Sequence, residues 1–265
     1  MTLPYRILLS LAVAALPATG WTQSVAIPIA NHSFEEDLAP NGGFPVGVPS
    51  GWTLYDPGNI VNQGTNAVGV LNPTGTDFFT NPNAVPHGNN AALVYLEQRV
   101  GTTLPGDPVG LSQTLGVALQ ADTRYTLTVA IGNIASGTGL DAFAGFGFAD
   151  LSGFPGYRVE LLAGGQVIAA DDNTGSIAEG RFGTATVQTM VGAGHAGIGQ
   201  ALGVRLINLN ATGNLAERGR EVDFDQVQLI ASAVPEPATY ALWLAGMGLF
   251  TLLGLPRRRA VRARP

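Results

Sequence analysis

Over residues 122–131 apolar and polar side chains alternate without a break. Tyr125, Leu127, Val129 and Ile131 fall on one face, with Arg124, Thr126 and Thr128 on the other. A period of two suits a strand with one buried face and gives a helix no continuous apolar stripe. The pattern returns at Tyr157, Val159 and Leu161, after which Gly164-Gly165 makes a turn and 166–170 runs back, the mark of a hairpin. Further strand-like runs cover 27–29, 91–97, 143–148, 184–191, 203–208 and 221–230, and no segment between the two ends keeps a helical period. The fold class that follows is all-β, a jelly-roll-like antiparallel β-sandwich.

The last run carries an irregularity. Val222 and Phe224 share one phase, while Val227 and Leu229 share the other. A strand changes phase only by gaining or losing a residue, so a bulge is expected at Asp225-Gln226. Residues 38–88 differ from the rest, being rich in Pro, Gly and Asn with few apolar runs. They are expected to form long loops over one end of the sandwich.

Both ends read as addresses. Arg6, the apolar run 7–16 and the small residues Ala18, Thr19 and Gly20 form a secretory signal peptide, assigned to residues 1–24. The string 16–20 reads LPATG, which resembles a sortase signal but stands at the wrong end of the chain. At the other end come Val234, Pro235, Glu236 and Pro237, then an uncharged apolar run 238–255, then Arg257, Arg258 and Arg259. Eighteen helical residues span about 27 Å, close to the hydrocarbon thickness of a bilayer. The expectation is a single transmembrane helix with its arginines held in the cytoplasm and the domain at 25–232 outside.

This tail, 233–265, resembles the PEP-CTERM sorting signal of Gram-negative bacteria. The resemblance implies an exosortase-type membrane protease as partner and a bilayer contact through the helix. It also implies a life at the inner membrane and then at the cell surface or in an exopolysaccharide or biofilm matrix.

Charge agrees with that division. There is no lysine, and six of the 13 arginines lie in the two end segments, leaving seven in the domain against 18 acids, a net charge near −11. Such a surface repels nucleic acid. The absence of cysteine excludes disulfides, a thiol nucleophile and thiolate metal ligands.

Three short elements of the domain, in order, resemble the galactose-binding-like sandwiches that include carbohydrate-binding modules. They are Asn31-His32-Ser33-Phe34-Glu35, Gly51-Trp52, and the closing run 221–229 with Asp223, Asp225, Val227 and Leu229. The resemblance implies a structural calcium tying the first strand to the last, with Glu35 or Glu36, Asp225 and, as a lesser candidate, Asp223 as ligands. Calcium takes six to eight oxygens, so carboxylates are the right donors. The resemblance also implies extracellular polysaccharide as a partner. Sugar stacking needs an exposed aromatic, however, and Trp52 sits where such modules pack a core residue.

Catalytic motifs are not evident. The three histidines, His32, His87 and His195, lack zinc spacing, and no G-x-S-x-G elbow occurs. The G-x-G-x-x-G string at 192–197 precedes a strand rather than a helix. The sequence therefore reads as a non-enzymatic surface or matrix protein of structural or adhesive role. A glycan-binding module is the alternative, and a secreted hydrolase a distant third.

Overall fold

The computed structural model describes residues 24–61, 63–80, 85–96, 107–173, 176–211 and 220–234. Its strands are β1 (Ser24–Ile27), β2 (Thr53–Tyr55), β3 (Ala67–Leu71), β4 (Ala91–Tyr95), β5 (Val109–Ala118), β6 (Thr123–Asn133) and β7 (Gly137–Thr138). They continue with β8 (Phe148–Ala149), β9 (Tyr157–Ala163), β10 (Gln166–Asp172), β11 (Arg181–Val191), β12 (Ala201–Asn208) and β13 (Glu221–Ala233). One sheet runs β11-β6-β13-β4-β3, with β1 also on β13; the other runs β10-β9-β12-β5-β2. The strand pairs within both sheets are antiparallel.

Alternating residues of both sheets meet in one core. Leu127, Val129, Val222 and Phe224 come from the first sheet, and Val159, Leu161, Val204 and Leu206 from the second. Trp52 packs inside as expected, stacked on Phe34 at 5.5 Å with its indole N–H donating to the Asn31 carbonyl. The bulge is also where the phase change requires it. The register of β13 on β6 shifts between Asp225 and Gln228, and Gln226 has φ of 48°. The bulge divides the other edge of β13 in two, β4 pairing with Glu221–Phe224 and β1 with Leu229–Ser232.

Two expectations change. Residues 143–148 are not a strand. A 3-10 turn occupies Asp141–Phe146, and only Phe148 and Ala149 pair, as β8 on β7. Three residues per turn bring Phe143 and Phe146 onto one side, and Phe44 packs on both rings at 4.8 and 5.5 Å. Residues 38–88 also hold more than loops. They supply β2 and β3, and residues 42–47 lie along the outer edge of β3 through backbone bonds of Gly42 to Asn72, Val70 to Pro45 and Gly47 to Val68. Gly69 lacks the β-carbon that would strike the Pro45 carbonyl there.

Val234 is described, and its N–H donates to the Asp122 carbonyl. Nearly all of the proposed signal peptide lies outside the described residues, as do Pro235, Glu236, Pro237, the apolar run 238–255 and Arg257, Arg258 and Arg259. Among the described residues no helix is long and apolar enough to cross a membrane.

Candidate active site

An antiparallel strand at a sandwich surface ordinarily shows water its polar phase. Here β4 and the first half of β13 are buried on both faces. Ala91, Leu93 and Tyr95 of β4 share the outer face with Glu221 and Asp223 of β13, because Glu221 lies opposite Tyr95 and Asp223 opposite Leu93. A second apolar cluster covers this face, formed by Leu71, Phe78, Phe79, Leu93, Ile134 and Leu151 with Phe44, Tyr95 and Phe182 at its margin.

Between that cluster and the aromatic turn is a cavity of about 800 Å³. Phe44, Phe78, Tyr95, Phe143, Phe146 and Phe148 line it, with Glu221, Arg220 and Asp150 as its charged groups. Phe146 and Phe148 stand 76% and 71% exposed at the mouth. Asp150 is fully exposed, and hydrogen bonds from Ser152 hold its carboxyl below the usual range, with Arg220 adding a smaller electrostatic pull.

Beneath the aromatic wall the carboxyls behave differently. Burial pushes Glu221 up to about 7. Burial, followed by the charge of Glu221, holds Asp223 well above the carboxylate range. Asp223 interacts with the Glu221 carboxyl and finds no cation or other donor among the described residues; a buried charge there would be costly, so the neutral acid is the tolerable form. Room for Asp223 comes from Gly132, its neighbour on β6. The arrangement is an apolar chamber lined by Glu221, whose carboxyl is pushed up to about 7, with Asp223 one residue pair deeper in the sheet, a setting for general-acid chemistry.

Of the residues read as calcium ligands, Glu35 and Asp225 come near each other, both against residues 87–90, while Glu36 and Asp223 lie apart from them. Glu35 accepts from the Asn89 and Asn90 N–H groups, and Asp225 from those of His87 and Gln226. These two acids are near enough for Glu35 to raise Asp225, itself pushed to about 7 mainly by burial. Glu36 is exposed, and Asp223 lies with Glu221 on the outer face of the sheet. Among the described residues no three acids or histidines converge as a metal would need.

Sequence reasoning did not single out Glu221 as a site residue and took Asp223 as a lesser calcium candidate, whereas the fold sets it beside Glu221 on the outer face. The available signal was the run 221–225, where three acids alternate with Val222 and Phe224.

The chain resembles known proteins over nearly all of this domain. A family model described as HpiC1 cyclase matches residues 25–230, and the PEP-CTERM protein-sorting motif matches residues 233–259. No curated protein matches the chain. Among solved structures, an apo-form cyclase from Fischerella sp. is 40% identical, with 80% of this chain and 98% of that one covered and a TM-score of 0.67. The Stig cyclase Fisc from Fischerella sp. TAU, in complex with (3Z)-3-(1-methyl-2-pyrrolidinylidene)-3H-indole, is also 40% identical, covering 80% and 100% at a TM-score of 0.67. A cyclase from Fischerella sp. TAU in complex with 4-(1H-indol-3-yl)butan-2-one is 39% identical, covering 80% and 100% at a TM-score of 0.66. These findings overturn the expectation of a non-enzymatic protein, because the matched family is one of enzymes that catalyse cyclisation. The sorting motif marks the chain for export and for processing by an exosortase, a membrane protease.

Proposed function

The chain belongs to the HpiC1-like cyclase family, and on that premise we propose that it is an exported enzyme of cyclisation chemistry acting on an aromatic substrate of roughly indole size or larger. The observation that carries this reading is the cavity of about 800 Å³, walled by six aromatic residues and lined by Glu221, a buried carboxyl pushed up to about 7. Its volume lies within the range of about 300–1,000 Å³ usual for small-molecule sites. Two relatives carry indole compounds, and flat rings stack favourably on phenylalanine. In such a chamber the aromatic wall orients the substrate and excludes water, while a floor carboxyl supplies the proton that makes a carbon centre electrophilic enough for ring closure. The place of action is the outer side of the inner membrane, or the cell surface after the tail is processed.

Calorimetry with 4-(1H-indol-3-yl)butan-2-one tests the reading. Saturable binding is expected, weakened about fivefold in Phe146→Ala, which removes a wall ring worth roughly 1 kcal/mol. No binding at the ketone's solubility limit would overturn it. The structural or adhesive matrix role and the glycan-binding alternative share the exported sandwich but give the enclosed pocket no task. Retention on an exopolysaccharide column together with absent indole binding would favour glycan recognition.

A further inference from the structure

Two charges of opposite sign line the aromatic chamber. Asp150 directly follows β8, whose Phe148 stands exposed at the mouth, and Arg220 directly precedes β13. Asp150 is held on one side only. Its Oδ1 accepts from the Ser152 hydroxyl at 2.7 Å, and from the Ser152 N–H and the Ser136 hydroxyl, each at 3.3 Å. Ser136 is steadied in turn by the N–H of buried Leu151. Oδ2 has no hydrogen-bond partner among the described residues and is open to a donor. The Arg220 carbonyl accepts from the Leu96 N–H and the Asn208 side-chain amide, which ties its backbone beside the ends of β4 and β12. Its guanidinium forms no salt bridge among the described residues. The two charges are near enough for Arg220 to help hold Asp150 ionised, yet they are not salt-bridged to each other. An apolar ring alone has use for neither charge.

We propose that the cavity takes a zwitterionic aromatic substrate, an α-amino acid or a derivative that keeps both its ammonium and its carboxylate, with Arg220 on the carboxylate, Asp150 Oδ2 on the ammonium and the ring among Phe44, Phe143 and Phe146. This rests on the cavity being the substrate site of the proposed cyclisation, and it names the end of the substrate that the charged pair holds. The planar guanidinium offers a carboxylate two parallel N–H donors, and a carboxylate oxygen accepts a short charge-assisted bond from an ammonium. Each group also rejects. Arg220 repels a ligand that carries only an ammonium, and Asp150 one that carries only a carboxylate, so a single-charge analogue gains one contact and meets one like charge. The Asp150 carboxylate is fixed before a ligand arrives, so little ordering remains to be done on that side. Glu221, the third charged group of the lining, is pushed up to about 7 by burial and adds little charge below that pH.

Calorimetry on the full chain at pH 6 and low salt tests this with one ring and four charge patterns: L-tryptophan, tryptamine, indole-3-propionate and the neutral 4-(1H-indol-3-yl)butan-2-one. L-Tryptophan is expected to bind at least about tenfold more tightly than either single-charge compound, the gain of one charge-assisted hydrogen bond. Asp150→Asn is expected to remove most of its advantage over indole-3-propionate, and Arg220→Gln most of its advantage over tryptamine. L-Tryptophan binding no tighter than both single-charge compounds would overturn the proposal on wild type alone, whether or not the variants fold. Tight L-tryptophan binding that two folded variants leave unchanged would overturn it as well, because the pair would not be what holds the amino acid. If the ketone binds while L-tryptophan shows no advantage, the cyclase reading stands and this one falls. If L-tryptophan binds through both residues while the ketone does not bind, the zwitterion site stands without the ketone.

Discussion

Asp223 faces Gly132 across the β6–β13 pair, and a β-carbon on Gly132 would stand 2.8 Å from that of Asp223 and 2.9 Å from the Phe182 ring. The space for a buried acid in this sheet is therefore set by the absence of one methyl group on the neighbouring strand. Gly132→Ala is expected to cost about 1–3 kcal/mol, the usual penalty for overpacking, and to displace the Asp223 carboxyl. Urea unfolding measures the first effect and carbon-13 NMR titration of the carboxyls the second. An unchanged midpoint in both would show that the sheet absorbs the methyl elsewhere.

Stability is expected to fall as pH rises. The Glu221 pKa goes up on folding, from 4.5 to about 7, so between those values the native state holds a proton that the unfolded chain has released. Unfolding then becomes easier with each rise in pH. The contribution reaches roughly 3 kcal/mol above neutrality, and Asp223 acts in the same direction. Melting temperatures between pH 5 and 8 should slope downward in wild type and be flatter in Glu221→Gln. A rise toward pH 8 in wild type would contradict this.

Deleting Gln226 removes the residue that takes the positive φ and restores a strict period of two. Val222, Phe224, Val227 and Leu229 would then share one phase and all stay on the core face. A cooperative thermal transition by circular dichroism, kept close to that of wild type, is the expected result. Loss of the transition would mean that the bulge itself, where the Val227 N–H donates to the His32 carbonyl, is required.

Replacing Arg257, Arg258 and Arg259 with neutral residues is expected to weaken retention and correct orientation of the tail, since positive charge holds a segment on the cytoplasmic side. Cell fractionation and mass spectrometry of the mature C-terminus check this. Unchanged fractionation and processing would count against a role for those charges.

The sandwich was legible because burial on one face writes itself into alternation, as at Tyr125 to Ile131. The irregularity at Asp225-Gln226 was legible for the same reason. β3 was not, because Ala67–Leu71 is covered on both faces and so lacks a polar phase. The site was hidden by the same effect in reverse. Glu221 and Asp223 occupy the phase that local pattern assigns to water, and what covers them is distant in sequence: Phe44, Phe78 and the turn at Asp141–Phe146. The aromatic turn itself misled, because Phe146-Gly147-Phe148 alternates like a strand while Phe143 and Phe146 are spaced for three residues per turn. Only the folded chain shows that an acid-bearing strand and a phenylalanine-rich loop face the same void.

β1 and the second half of β13 lie side by side, Ser24 opposite Ser232 with their hydroxyls 2.7 Å apart. A chain threaded outward from its N-terminal end therefore brings its first strand across long before the partner for that strand has been synthesised. The six-stranded sheet can close only when the final segment has cleared the export channel. Maturation of this domain is thus a late event.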